Sequence, residues 1–261
     1  MGVGLHSGAE ARVRLWARPG AVRLRAGGVE ARIDELVVAS TARATTIEAC
    51  GGGLRVGMVK HLFAALAGLG IREGVTIDVD GPEMPLLDGA AGVWCDALSE
   101  LGIPSRTPRL RVAREAVLDI GDSRYELSLA DHVEVEARLV LPDPRALPHA
   151  RWFGDADDFR TRIATARTFA LASDMGELAR LGLARHVDPA CVVVLAPEAV
   201  HCSGRPYSAD EPARHKLLDL MGDLYLHGGP PLGRVRAVRP GHWANLQAVL
   251  RACQEGALVA V

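Results

Sequence analysis

The sequence has no apolar run approaching the roughly 18 residues of a membrane-spanning helix, so a lipid-like ligand has to be met at a membrane surface or in a pocket. It has no excess of one charge either: 30 basic against 32 acidic residues leave a formal net charge of -2. That removes the electrostatic case for nucleic-acid binding. The five cysteines, Cys50, Cys95, Cys191, Cys202 and Cys253, are scattered and lack C-x-x-C spacing. A disulfide framework and a cysteine zinc knot are therefore not expected, and a reducing cytosol is. The opening MGVGLHSG has neither the basic stretch nor the apolar core of an export signal, which agrees with a cytoplasmic location.

What remains is an ordinary soluble composition. The 261 residues are 49% apolar and 24% charged, enough for one large or two ordinary domains. Short alternating segments predict strands at Ala11–Trp16, Val22–Arg25, Ile33–Val38, Thr45–Ile47 and Val75–Val79. Apolar residues at helical spacing predict helices from Met58 to Leu69 and from Val93 to Leu101. Ser105–Pro108, with prolines on both sides, reads as a linker, after which the pattern restarts. Strands are expected at Leu110–Leu118, Tyr125–Leu129, Val133–Leu141, Cys191–Leu195 and Arg234–Val238. Helices are expected at Asp158–Arg167, Phe169–Leu183, Glu211–Asp223 and Trp243–Cys253.

The fold class is thus α+β. Two similar domains, 1–105 and 109–261, are each expected to hold an antiparallel sheet and about two helices, packed helix face to helix face. HLFAALAGL and HKLLDLMGD support the duplication, because each carries a His with a Gly seven residues later. Such packing would bring His61 near His215.

Within Glu211–Asp223, His215 and Asp219 are four residues apart and share one helix face, with Asp223 continuing it. A His and a carboxylate stacked this way can give two ligands to one divalent metal, leaving Asp223 to hold a further group by hydrogen bond. H-x-x-x-D alone is more often the charged side of a surface helix, and a His such as His6 in a glycine-rich turn is more often a surface residue. The remaining segments of the chain carry the case further.

Six of them, in order, are GVGLHSG at Gly2–Gly8, HLFAALAGLGI at His61–Ile71 and DGPEMPLLDGAA at Asp80–Ala91. ARTFA at Ala166–Ala170, DEPARHKLLDLMGDLYLHG at Asp210–Gly228 and GHWAN at Gly241–Asn245 follow. Over nearly its whole length the chain resembles the bacterial UDP-3-O-acyl-N-acetylglucosamine deacetylases, zinc amidohydrolases of lipid A synthesis. The resemblance implies a Zn²⁺ held by His61, His215 and Asp219, with a fourth position open to water. It implies His242 as general acid or electrostatic stabiliser, Asp223 as the group orienting it, and Thr168 as a partner of the carbonyl oxygen. Phe169, Lys216 and Arg239 match positions near the substrate, a UDP-linked acylated amino sugar whose diphosphate suits the two cations. Leu171, Met175, Leu178, Leu181 and Leu183 correspond to an insert that forms an acyl-chain passage; a plain core-packing helix reads equally well there. No protein partner is implied.

The chain also departs from that pattern. The family has a Glu, the general base, immediately before the first ligand His, and this chain has Lys60. An ammonium donates hydrogen bonds and has no lone pair to accept one. Arg185-His186-Val187-Asp188 stands where the family has a glycine-rich turn, Pro240 stands where it has a Ser, and the family's first strand, before Gly-Val-Gly-Leu-His, is not expected here. Two expectations follow: a zinc deacetylase of such a substrate, or a catalytically impaired relative that keeps zinc and binds a nucleotide-sugar, an acyl chain or a protein partner.

Overall fold

Two five-stranded sheets with the same plan frame the chain, whose computed structural model describes residues 1–141, 143–180, 182 and 187–261. The first sheet is built from β1 (Gly2–Val3), β2 (Glu10–Ala21), β3 (Arg23–Ala26) and β4 (Val29–Arg32). A small three-stranded sheet follows, of β5 (Leu36–Ser40), β6 (Thr46–Ala49) and β7 (Arg55–Val56). The helix α1 (Lys60–Gly68), the strand β8 (Glu73–Asp80) and the helix α2 (Gly92–Ser99) complete this half. The order across the first sheet is β1-β2-β8-β3-β4.

The second half opens with β9 (Leu110–Val112), then repeats the plan with β10 (Ala116–Ile120), β11 (Ser123–Ser128), β12 (Val133–Arg138) and β13 (His149–Trp152). After them come α3 (Ala156–Asp158), β14 (Thr168–Leu171), α4 (Ala172–Arg180), β15 (Val192–Leu195) and β16 (Val200–His201). The chain closes with α5 (Glu211–Tyr225), β17 (Gly233–Val238), α6 (His242–Gln254) and β18 (Leu258–Ala260). Here the order is β10-β11-β17-β12-β13. In both sheets the strand after the central helix inserts between two earlier strands, antiparallel to one and parallel to the other: β8 between β2 and β3, β17 between β11 and β12. The α+β class and the duplication are borne out, with one parallel pair in each otherwise antiparallel sheet.

The two central helices pack against each other. Every residue of α1 is buried, which explains its almost wholly apolar sequence. All of α5 except Lys216 is buried as well. The echoed glycines have a packing reason: a Cβ on Gly222 would lie 2.1 Å from the Lys60 carbonyl oxygen, and one on Gly68 would lie 2.2 Å from the Phe159 ring. At Gly222 the start of α1 therefore crosses α5 at backbone distance, which sets His61 beside His215.

Some expected elements take other forms. The helix expected over Asp158–Arg167 is one turn of α3 followed by a π-helical turn, Phe159–Ile163. Phe159 and Ile163 are fully buried there, so tertiary packing sets the turn. The helix expected from Phe169 begins three residues later, because Thr168–Leu171 pairs in parallel with Val192–Leu195. Ile33–Glu35 is a 3₁₀ turn before β5 rather than the start of a strand. Leu181, Leu183, Arg185 and His186 lie outside the described residues.

Candidate metal centre

His61 at the start of α1 and His215 and Asp219 on α5 converge, with one potential ligand atom from each lying within 4.8 Å of the others. The two imidazoles meet edge to face, centroids 5.1 Å apart. All three residues are 2% exposed. His215 Nδ1–H donates to the Ala166 carbonyl at 3.0 Å, which leaves the Nε2 lone pair for a ligand role. Nε2 of His61, Nε2 of His215 and Oδ1 of Asp219 are buried without a hydrogen-bond partner among the described residues. Orphaned acceptor atoms facing one another are costly unless something else satisfies them. Two imidazoles and a carboxylate are a donor set suited to Zn²⁺ with an open position.

Burial pushes the His61 imidazole well below its ordinary pKa, with the Lys60 ammonium acting in the same direction. Burial likewise carries His215 down to about 4. Both rings are therefore neutral near pH 7, as ligands must be. For Asp219 burial acts upward, but the cations around it, Lys60 foremost, hold its carboxyl well below the usual range.

Lys60 enters this cluster directly. Its Nζ is 2.8 Å from Asp219 Oδ1, an ion contact outside hydrogen-bond directionality, and 3.2 Å from His242 Nε2. Lys216 Nζ holds the other oxygen, Oδ2, at 3.3 Å. Asp223 lies one turn beyond Asp219 and accepts three hydrogen bonds. These come from Thr45 Oγ1 at 2.6 Å, from His242 Nδ1 at 2.8 Å and from Asn245 Nδ2 at 2.7 Å. The Asn245 amide is oriented in turn by the Tyr125 hydroxyl, 2.6 Å from its Oδ1. The imidazole of His242 is thus fixed with Nδ1–H toward Asp223 and Nε2 toward Lys60.

A cavity of about 370 Å³ opens onto the cluster. Lys60, His215, Asp219 and His242 form its polar part, and Thr168, Phe169 and Lys216 also line it. Leu139, Leu141, Leu171 and Leu178 give it an apolar side. No described side chain of α4 is buried in the core; Met175 is 42% exposed while Leu178 faces the cavity, so this helix does not pack into the core. Arg239 stands apart: it is exposed at the end of β17, with a left-handed φ of 55°, and does not line the cavity.

Several participants carry no signal of their own in the sequence. Arg43 lines the cavity and reaches α4, its Nη2 donating to Glu177 Oε2 at 2.8 Å. His6, expected on the surface, lines the cavity with both ring nitrogens buried and unpartnered among the described residues. Glu83, from the DGPEMP segment, positions the turn that carries His6: its Oε1 accepts from the amides of His6 and Ser7 at 3.0 and 2.7 Å and from Ser7 Oγ at 2.6 Å.

A profile of the LpxC family, described as UDP-3-O-acyl N-acetylglycosamine deacetylase, matches residues 1–253. The chain belongs to the LpxC family. A UDP-3-O-acyl-N-acetylglucosamine deacetylase of Myxococcus xanthus is 36% identical over 267 residues, covering 95% of this chain and 81% of the relative. One from Thermosynechococcus vestitus is 34% identical, covering 97% of this chain and 90% of its own. One from Brucella melitensis is 29% identical, over 95% and 90%. Among the described residues no helix of this LpxC-family chain is long and apolar enough to cross a membrane.

Proposed function

We propose that the chain is a cytoplasmic zinc hydrolase that removes the N-acetyl group of a UDP-3-O-acyl-N-acetylglucosamine-like substrate, in lipid A biosynthesis. Residues 1–105 supply one ligand, His61, and residues 109–261 supply His215 and Asp219. The observation that carries this reading is the pair of unpartnered imidazole nitrogens, on His61 and His215, that converge with the Asp219 carboxylate beside a cavity with an apolar side. Zinc held there supplies Lewis acidity toward the acetamide carbonyl. Thr168 takes part in holding that carbonyl, Phe169 and Lys216 contact the sugar-nucleotide, and the leucine-lined side receives the acyl chain. Arg239 keeps a role only for a part of the substrate that extends beyond the cavity.

Proton transfer falls to Lys60 and His242. An ammonium can only donate, so at 3.2 Å His242 Nε2 accepts from it. As the Lys60 ammonium turns from His242 Nε2 toward the leaving nitrogen, water attacking the acetamide carbon gives its proton to the freed Nε2. The departing amine takes one from Lys60 Nζ, the imidazolium returns its proton to the lysine, and the remaining acid proton passes to the amine, leaving acetate and the protonated amino sugar. Asp223 keeps the imidazole in the required tautomer throughout.

A second reading is favoured by the contact between Lys60 and Asp219. A cation on a ligand carboxylate weakens metal binding and removes the acceptor that a general base requires. The chain would then keep the fold and the cavity but turn over little substrate. Deacetylation of UDP-3-O-acyl-N-acetylglucosamine by the zinc-loaded chain, beside Lys60→Glu and Lys60→Met, separates the two. Turnover by the unmodified chain that is lost in Lys60→Met supports the paired mechanism. Activity that appears only in Lys60→Glu supports the silenced site. Inactivity of all three withdraws the substrate.

A further inference from the structure

Near the C-terminal end of α5 a second cavity, of about 320 Å³, lies between the two halves of the chain. Tyr225, which lines it, is ten residues from His215, about 15 Å along the helix at 1.5 Å per residue. Arg72, four residues past the end of α1, also lines it and is 6% exposed. Its Nε and Nη1 have no hydrogen-bond partner among the described residues. Its guanidinium carbon lies 5.9 Å from the centroid of the Tyr225 ring. The backbone makes room for this side chain: Gly229 has φ of 86°, and a Cβ there would lie 1.7 Å from Arg72 Nη1.

The surroundings add positive charge instead of compensating it. Arg109 lines the same cavity and donates through Nη2 to the Arg72 carbonyl. His227 lines it too, with Nε2 buried and without a hydrogen-bond partner among the described residues. Asp34, the carboxylate on the lining, is exposed and already engaged by Arg32, whose Nε donates to its Oδ1 at 2.9 Å. Burial holds Arg72 below its ordinary pKa, and Arg109 pushes the same way. Buried guanidinium groups are normally matched by an anion, and their fork geometry fits the paired oxygens of phosphate or carboxylate.

We propose that this cavity binds a small organic oxyanion, its phosphate or carboxylate head received by Arg72, Arg109 and His227 and its apolar part set against Val22 and Leu110. The site is separate from the His–Asp cluster and does not depend on the activity assigned there.

Phenyl phosphate, inorganic phosphate and benzoate titrated into the full chain by calorimetry test the proposal. Saturable binding of at least one of them at about 10 mM or below is expected, and the preferred head group distinguishes phosphate from carboxylate. Affinity should fall about tenfold or more in Arg72→Met and in Arg109→Gln. Arg109 is exposed, so its variant keeps the test intact if Arg72→Met does not fold. His215→Ala should bind as the unmodified chain does. Absence of binding by all three probes, or binding unchanged in Arg109→Gln and in folded Arg72→Met, overturns the site.

Discussion

Lys60 Nζ and Asp219 Oδ1 approach to 2.8 Å, in a place where both side chains are almost fully buried. The ammonium sits at the first turn of α1, where no acidic residue offsets the positive end of the helix. Asp219 is therefore its principal source of compensation, and any metal using the same oxygen has to displace it. Replacing the cation by a neutral chain of similar length should release Oδ1. Lys60→Met is expected to bind Zn²⁺ at least about tenfold more tightly than the unmodified chain, a difference of roughly 1.4 kcal/mol, measured by competition with a chromogenic chelator. Equal affinities would show that Lys60 does not compete with the metal.

The pH response of the metal-free chain follows from His215. The unfolded chain takes up a proton at this residue near 6.5, the folded chain only near 4. Between those values the unfolded state binds more protons, so stability present above pH 6.5 is lost as pH falls toward 4. The loss attributable to His215 is on the order of 3 kcal/mol, and His61 acts in the same sense. Urea midpoints of the chelator-treated protein should fall from about pH 7 to about pH 4.5, and His215→Gln should flatten the slope. Parallel slopes for the two proteins would count against this account.

How far these features could be read from the chain depends on their range. Period and spacing placed α1, α5, α6 and most strands, because an apolar stripe is a local property. The H-x-x-x-D pair and the His–Gly echo located the two helices that meet at the cluster. Arg43, Thr45 and Asn245 were invisible, since each acts through a contact more than 20 residues away along the chain. Phe169–Leu171, expected as the start of a helix, lies in a strand because its partner, Val193–Leu195, is distant in sequence and a short amphipathic run fits either period. Lys60 was legible as a departure, but only the fold reveals that its charge falls on the Asp219 carboxylate.

Asp223 is the hub of the hydrogen bonds behind His242. Asp223→Ala leaves the Thr45 hydroxyl, the Asn245 amide and the His242 Nδ1–H without an acceptor inside the core. A destabilisation of about 2–4 kcal/mol is expected, read from urea unfolding. Asp223→Asn preserves shape and should cost less. It should still uncouple the imidazole from its tautomer, lowering any deacetylation rate about 10²-fold or more without a matching change in KM.

Arg167 and Glu211 tie the strand carrying Thr168 and Phe169 to the start of α5. Both are nearly inaccessible, at 1% and 3% exposure. Glu211 Oε1 accepts from the Arg167 amide at 3.0 Å and from its Nε at 2.8 Å, while Oε2 accepts from Nη2 at 3.1 Å. The guanidinium is completed by the carbonyls of Ser203 at 3.2 Å and Pro206 at 3.3 Å. Burial acts to raise the Glu211 carboxyl, but Arg167 holds it below the usual range. Arg167→Met would leave a buried carboxylate that keeps the residue-167 backbone amide but, among the described residues, has as its nearest cation Arg205, 3.6 Å away and about half exposed. That should cost about 3–5 kcal/mol. Arg167→Met combined with Glu211→Leu should recover much of it, because an uncompensated charge is worse than none. Urea unfolding of the single and double variants measures the difference; a double variant less stable than Arg167→Met alone would show that the pair contributes mainly through the carbonyls it satisfies.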